Sequence, residues 1–245
     1  MPGFARVLAR LFTLQAAWNY ERMQGIGFGH AAEPALRALE GGPEGARYRA
    51  ALARQARFFN AHPYFAGLAV GASVRAELDG EAPERIERLR EALCGPLGSI
   101  GDRLFWASWL PVCGAIGLVL VAFGARGWAA AGFLVLYNAA HLTCRVWGLR
   151  AGWARGMQVV GALQVPGLRL AGRLAVPLAG FVVGTALPIA FGWQLRGASG
   201  HTWLAGAAGA ALFAMVLRGA GPRASGITLA VAVLGLTWAF GLLWG

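Results

Sequence analysis

Asp102 is the last acidic residue in the chain, and the 143 residues that follow it carry ten arginines and no carboxylate. An arginine-only charge set scattered among long apolar stretches cannot form an ordinary water-facing surface, where both signs alternate. Charged residues make up 13% of the whole chain, against about 25% in soluble domains, while hydrophobic residues reach 57%. The solvent of the second part of the chain is therefore lipid.

Five apolar runs follow Arg103: Leu104–Gly124, Gly127–Cys144, Leu174–Leu195, Trp203–Leu217 and Gly226–Trp244. At about 1.5 Å of rise per helical residue, the first, third and fifth reach across a hydrocarbon core of about 30 Å, and the fourth falls short. Pro111, Pro177 and Pro188 imply kinks or unwound turns that other protein or a wet cavity must cover. The expected fold is an all-α integral membrane protein. An N-terminal region of amphipathic, interfacial or cytoplasmic helices over 1–103 precedes a transmembrane region over 104–245, with about five apolar segments and three to five full spans. The first two segments can alternatively form a re-entrant hairpin.

The net charge of +11 comes almost entirely from the apolar part, because residues 1–102 balance twelve arginines against eleven acids. Nucleic acid is not the expected partner. The late arginines fall between apolar runs, where anionic headgroups of membrane lipids and the positive-inside rule account for them. With the N-terminal hundred residues in the cytoplasm, Arg145, Arg150, Arg155, Arg169, Arg173, Arg218 and Arg223 are inside, and Arg126 and Arg196 outside. The C-terminus then faces out.

Before Asp102 the sequence is mixed in polarity. Gly41-Gly42-Pro43, His62-Pro63, Ala82-Pro83 and Gly95-Pro96 mark expected helix boundaries, with helices over Gly45 to Phe59 and Glu84 to Leu93. Phe4, Val7, Leu8, Leu11, Phe12 and Leu14 recur at helical spacing around Arg6 and Arg10. That pattern fits either an interfacial helix or an amphipathic core helix. Cys94, Cys113 and Cys144 are isolated and lack metal-type spacing. A Gly-rich phosphate loop with lysine and a nucleophile with a paired base are also missing, so neither a cofactor nor catalysis by this chain is expected.

Four ordered segments carry a family resemblance. They are Trp18-Asn19-Tyr20-Glu21-Arg22-Met23-Gln24 with Gly25 and Gly27; Phe58-Phe59-Asn60-Ala61-His62-Pro63-Tyr64; Gly95 to Asp102 running into Leu104-Phe105-Trp106; and Tyr137-Asn138-Ala139-Ala140-His141. Together they resemble the IID component of the mannose, fructose and sorbose family of bacterial phosphotransferase permeases. The resemblance implies an inner-membrane subunit that forms a sugar path with a IIC subunit. Phosphate reaches a hexose-type sugar through the soluble carriers IIA and IIB, and the IID subunit carries none. The chain departs from the family pattern at Ala61, where Thr is usual, at Gly98-Ser99, where Ala-Gly is usual, and at Arg103, where Ser is usual. An arginine beside Asp102 leaves a second reading open, a non-transporting regulatory or scaffold protein that keeps the fold.

A neutral sugar needs paired donors and acceptors, with aromatic faces over its C–H surface. Asn19, Glu21, Gln24, Asn60, His62 and Asp102 are the candidate sugar contacts. For the first segment the alternative is a hydrogen-bonded corner, with Trp18, Tyr20 and Arg22 as structural or partner contacts. For Asp102 it is a helix N-cap. Asn138 and His141 share one face of an apolar helix, where polar groups need partners, and contact with the partner subunit is the alternative to a site role. The charge asymmetry has its own test. An alkaline phosphatase reporter fused after Gly245 is expected to be active, and an inactive reporter in a well-expressed fusion refutes the orientation.

Overall fold

Every regular element among the described residues is helical. The computed structural model describes residues 1–194 together with Gly200 and Met215. Apart from Met215, the fourth and fifth apolar runs and the C-terminus lie outside the described residues. The helices are α1 (Phe4–Leu11), α2 (Gly25–Leu36), α3 (Ala46–Gln55), α4 (Ala66–Leu78), α5 (Pro83–Gly101), α6 (Leu110–Ala122), α7 (Arg126–Arg155) and α8 (Pro166–Gln194). Met1–Phe191 form one unit and Gly192–Gly245 a second.

The centre of the first unit is α4, whose sequence AGLAVGASVRAEL is small and apolar, and whose residues Ala66 to Val74 are all buried. Against it lies the second half of α7. The close approach comes from glycines four residues apart on both helices, Gly67 and Gly71 facing Gly148 and Gly152. A Cβ on Gly71 would sit 2.5 Å from the Leu149 carbonyl oxygen and 2.7 Å from the Trp153 nitrogen, and one on Gly152 would collide with the Leu68 carbonyl. Small residues at this spacing let helix backbones touch. The motif is spelled out in the sequence as GLAVG and GLRAG, yet it is invisible to a reading based on polar groups.

The apolar face of α1 is spent on protein. Val7 and Leu11 are fully buried in a core shared with Ala31, Leu36, Leu68 and Leu149. Of its two sequence readings, the amphipathic core helix describes this face. Glu33 on α2 collects Arg10 (2.6 Å), Arg37 (2.6 Å) and the Tyr48 hydroxyl (2.9 Å). Burial raises the pKa of that carboxyl, but the hydrogen bonds from Arg37, Tyr48 and Arg10 more than offset it and leave it below its usual range.

Gly95-Pro96 is not a helix boundary. α5 runs through Pro96 because Ile86, Leu89, Leu93 and Leu97 form a buried stripe that holds both halves to the core. The carbonyl that Pro96 cannot bond belongs to Ala92, which is exposed. After Gly101 the chain makes a π-helical stretch, Asp102–Trp109, and passes into α6, so Pro83–Ala122 is one continuous 40-residue helical rod. Ser108 Oγ donates to the Arg103 carbonyl at 2.7 Å within the wide turn. Pro111, which has no N–H to give, follows just beyond it.

Gly124, at φ 86, closes a hairpin between α6 and α7. α7 continues for 30 residues to Arg155, well past Cys144, where the apolar run ends. Arg145, Arg150 and Arg155 thus belong to a helix instead of a loop, and a 3-10 stretch, Gly156–Gln164, leads to α8. Among the described residues, two helical stretches are long and apolar enough to cross a membrane: Pro83–Ala122 and Pro166–Leu187.

The α4–α7 contact yields a direct test. Gly71→Ala or Gly152→Ala is expected to cost about 1–3 kcal/mol through forced backbone separation. Gly95→Ala, where a Cβ meets nothing within 4 Å, is expected to be neutral or to stabilise by up to about 1 kcal/mol. Thermal melting of the three variants in one detergent decides it.

Candidate functional site

The four sequence segments meet, and the first two are clasped together. The Gln24 side chain, 2% exposed, donates from Nε2 to the Ala61 carbonyl (2.7 Å) and accepts from the Ala61 N–H at Oε1 (3.3 Å). Around it the backbones of the same segments pair: Gln24 N–H to Phe59 O at 2.9 Å and Phe59 N–H to Arg22 O at 3.3 Å. Gly25 is required here because a Cβ would run into the Arg57 carbonyl.

Asn19 shapes the corner that presents Gln24. Its Oδ1 accepts from the backbone N–H groups of Glu21 (3.1 Å) and Arg22 (2.9 Å), and its Nδ2 donates to the Ala17 carbonyl (3.2 Å). The Asn19 and Met23 backbones close the turn, with Met23 at φ 51. An amide occupied in this way is an Asx-type turn former. Trp18 and Tyr20 stack edge-to-face at 4.8 Å, and both are exposed. Glu21 is also exposed, with Arg22 3.6 Å away.

The second segment then meets the third. His62 is buried, its ring stacked on Phe105 at 5.3 Å and tilted against Trp106 at 5.2 Å. Its Nδ1 accepts the Tyr64 N–H at 3.3 Å. Gly101 is the only size that fits, since a Cβ there would overlap the His62 side chain. Burial, reinforced by the Arg145 charge, lowers the His62 pKa to about 4, so the ring is neutral at physiological pH. Enclosed by Phe105 and Trp106, the ring is closed off from a phosphoryl donor. Asn60, whose backbone lies beside the Cys94 thiol of α5, and Asp102 are exposed. Asp102 makes no side-chain cap: the helix passes straight through it.

The fourth segment completes the cluster from α7. Tyr64 and Tyr137 share a hydroxyl–hydroxyl hydrogen bond at 2.8 Å. His141 stacks on Tyr64 at 4.8 Å and bonds Asn138 Oδ1 at 2.8 Å, while Asn138 Nδ2 donates to the Leu134 carbonyl at 2.6 Å. Arg145 lies one turn further on, 5% exposed, over the rings of Phe12 (4.9 Å) and Tyr64 (5.1 Å). Its Nη1 donates to the carbonyl of Leu11, the last residue of α1, at 2.5 Å. Arg145, expected between two apolar runs, is a buried cap on a helix C-terminus. Tyr64, Tyr137 and Arg145 carry this junction, and of the three only the tyrosines lay within the quoted segments.

A family model for the mannose/fructose/sorbose-family phosphotransferase IID component matches residues 3–191. The chain belongs to the IID family. Its relatives include the mannose-specific EIID component of Escherichia coli K12, 32% identical over 162 residues that cover 63% of this chain and 56% of the relative. The fructose permease IID component of Bacillus subtilis is 32% identical over 155 residues, 60% of this chain and 54% of that one. The chain thus spans little more than half the length of the curated relatives it matches. A solved structure of the mannose transporter ManYZ with microcin E492 superposes with a TM-score of 0.59 at 28% identity, covering 74% of this chain and 68% of that one. A second solved membrane protein superposes with a TM-score of 0.67 at 29% identity, with the same coverage.

Within this IID chain the six candidate residues divide by geometry. Asn19 and Gln24 have their hydrogen-bonding groups taken by backbone, and His62 is walled in by aromatic rings. Glu21, Asn60 and Asp102 are exposed.

His62 supplies a pH test. Its folded pKa lies below the ordinary value of 6.5, so the unfolded chain binds a proton that the folded chain refuses. Stability from this source is complete above about 6.5 and falls as pH drops towards 4. Melting temperatures recorded from pH 7 to pH 4 are expected to decline more steeply in the native chain than in His62→Gln.

Proposed function

We propose that this chain is the IID membrane subunit of a mannose-family phosphotransferase permease. In this reading it forms the sugar path with a IIC subunit, while IIB, charged by IIA, docks on the cytoplasmic side and phosphorylates the sugar. The chain itself carries no phosphate. It sits in the bacterial inner membrane with its N-terminal region inside and its C-terminus outside.

The observation that carries the reading is the convergence of all four segments on one junction. Gln24, His62, Tyr64 and Tyr137 join them, and Glu21, Asn60 and Asp102 are left outward, Glu21 in an exposed ion pair with Arg22 and the other two without a side-chain hydrogen bond among the described residues. A subunit built to complete a pathway with a partner needs both parts, a rigid joint and uncommitted polar groups at its edge. The names of the relatives, specific for mannose, fructose and sorbose, support a hexose-type substrate. In the same reading Asn19, Gln24 and His62 position the site, and Glu21, Asn60 and Asp102 are the groups offered to sugar or partner. Trp18, Tyr20 and Arg22 lie on the same corner as surfaces for the IIC subunit.

Coexpression with IIC, IIB and IIA tests both levels. Asn60→Ala and Asp102→Asn are expected to assemble normally and lower sugar uptake on the order of 5–150-fold, the equivalent of about 1–3 kcal/mol for an unpaired partner at a desolvated site. Gln24→Ala is expected to lower complex yield instead, because both Ala61 backbone groups lose their partner. Arg103→Ser is expected to raise uptake if arginine obstructs the path. Normal yield with unchanged uptake in the first two variants removes them from the site, and absence of uptake by the native complex overturns the transport reading itself.

A further inference from the structure

All seven ion pairs among the described residues join side chains at or before Glu87. Three arginines beyond Asp102 have no such partner among the described residues and share one pocket. Arg103, from the start of the π-helical stretch, and Arg169 and Arg173, one turn apart on α8, line a pocket of about 420 Å³ with Ser99, Ile100, Leu163, Leu168 and Gly172. Asp102, next to Arg103 in sequence, makes no ion pair with it and does not line the pocket. The pocket's lining comes from the apolar rods Pro83–Ala122 and Pro166–Leu187, with Leu163 from the stretch between α7 and α8.

Leu168 also lines a second, larger space. An open cleft of about 910 Å³ runs between the Leu104–Val112 stretch, α7 and α8, walled by side chains such as Phe65, Trp109, Val112, Trp147 and Leu178. Its lining is almost wholly apolar. A triply cationic pocket that shares the Leu168 wall with a large apolar cleft has the polarity an amphiphile needs, a cationic site for an anionic head beside an apolar one for a hydrocarbon tail. Converging arginines suit phosphate oxygens better than any neutral head, since each guanidinium offers a planar fork of donors. Basic pockets beside membrane helices bind anionic headgroups on the same grounds.

We propose that Arg103, Arg169 and Arg173 with Ser99 bind the phosphate of an anionic phospholipid whose acyl chain occupies the adjoining cleft. The arginine that replaces the family's usual serine at 103 is then part of a lipid site. This assignment does not depend on sugar transport.

The test uses the purified full chain in dodecyl maltoside, titrated with dioleoyl phosphatidylglycerol or dioleoyl phosphatidylcholine and read by native mass spectrometry. The native chain is expected to retain phosphatidylglycerol over phosphatidylcholine. Loss of retention is expected at roughly fivefold per arginine and on the order of a hundredfold in the triple variant Arg103→Ser, Arg169→Gln, Arg173→Gln. Arg126→Gln, an exposed arginine at the far end of the hairpin, is expected to change nothing. If the triple variant melts lower than the native chain, Arg103→Ser alone still carries the test, because that exposed side chain has no protein partner to lose. Equal retention of the two lipids, or retention unaffected by the arginine variants, overturns the proposal. Arginine-dependent binding of inorganic phosphate with no preference between the lipids also overturns it and makes the site one for a soluble phosphate ester.

Discussion

The backbone-to-backbone contact of α4 with α7 is the constraint on which the rest of the molecule depends. Four glycines remove the side chains that would hold the helices apart, and the gain is a crossing close enough for Leu68 and Leu149 to be buried completely. Once α7 is fixed there, its N-terminal continuation sets where Tyr137, His141 and Arg145 stand. The Tyr64 loop precedes α4 directly, so the same contact sets where His62 and Tyr64 stand. The site junction is thus a by-product of one glycine-lined crossing.

Two solvents act on the molecule and leave different signatures. In the N-terminal part, acids and arginines pair across helices, as in the bidentate contact of Arg54 with Glu77 at 2.9 and 2.7 Å. From Arg103 onward no acid exists to pair with, and each arginine must find an aromatic face, a carbonyl or an interface. Arg145 and Arg150 take rings, Arg150 lying over Phe4 at 5.5 Å. The chain therefore changes its electrostatic vocabulary midway along one continuous helical rod, Pro83–Ala122.

Local chemistry was legible in the sequence where it is decided locally. Helix starts at Pro83 and after Pro63, the break at Gly41-Gly42-Pro43 and the apolar rods all follow from residue type and spacing. The four segments also identified the family correctly, although their roles could not be apportioned. Whether Gln24 meets a sugar or Ala61, 37 residues away, is a tertiary fact, as is the removal of Arg145 from solvent by Phe12 and Tyr64. Pro96 misled because proline's local effect is real but small beside the buried stripe of Leu89, Leu93 and Leu97. The glycine pairs at 67/71 and 148/152 were readable and went unread, since a contact made of absent side chains leaves no polar group to notice.

Arg90 and Arg145 share a habit with a wider consequence. Arg90 donates to the carbonyls of Arg54, Gln55 and Arg57 at the end of α3, and Arg145 to that of Leu11 at the end of α1. Each acceptor belongs to the main chain, which every amino acid supplies. A substitution at 11, 54, 55 or 57 leaves the carbonyl acceptor in place, whatever it costs the buried Leu11 side chain or the Arg54–Glu77 pair. Replacement of either arginine finds no compensating change available at those four positions. The two joints are indifferent to side-chain identity at the acceptor and dependent on arginine at the donor, so α1 and α3 are each held by a group that only the opposite helix can lose.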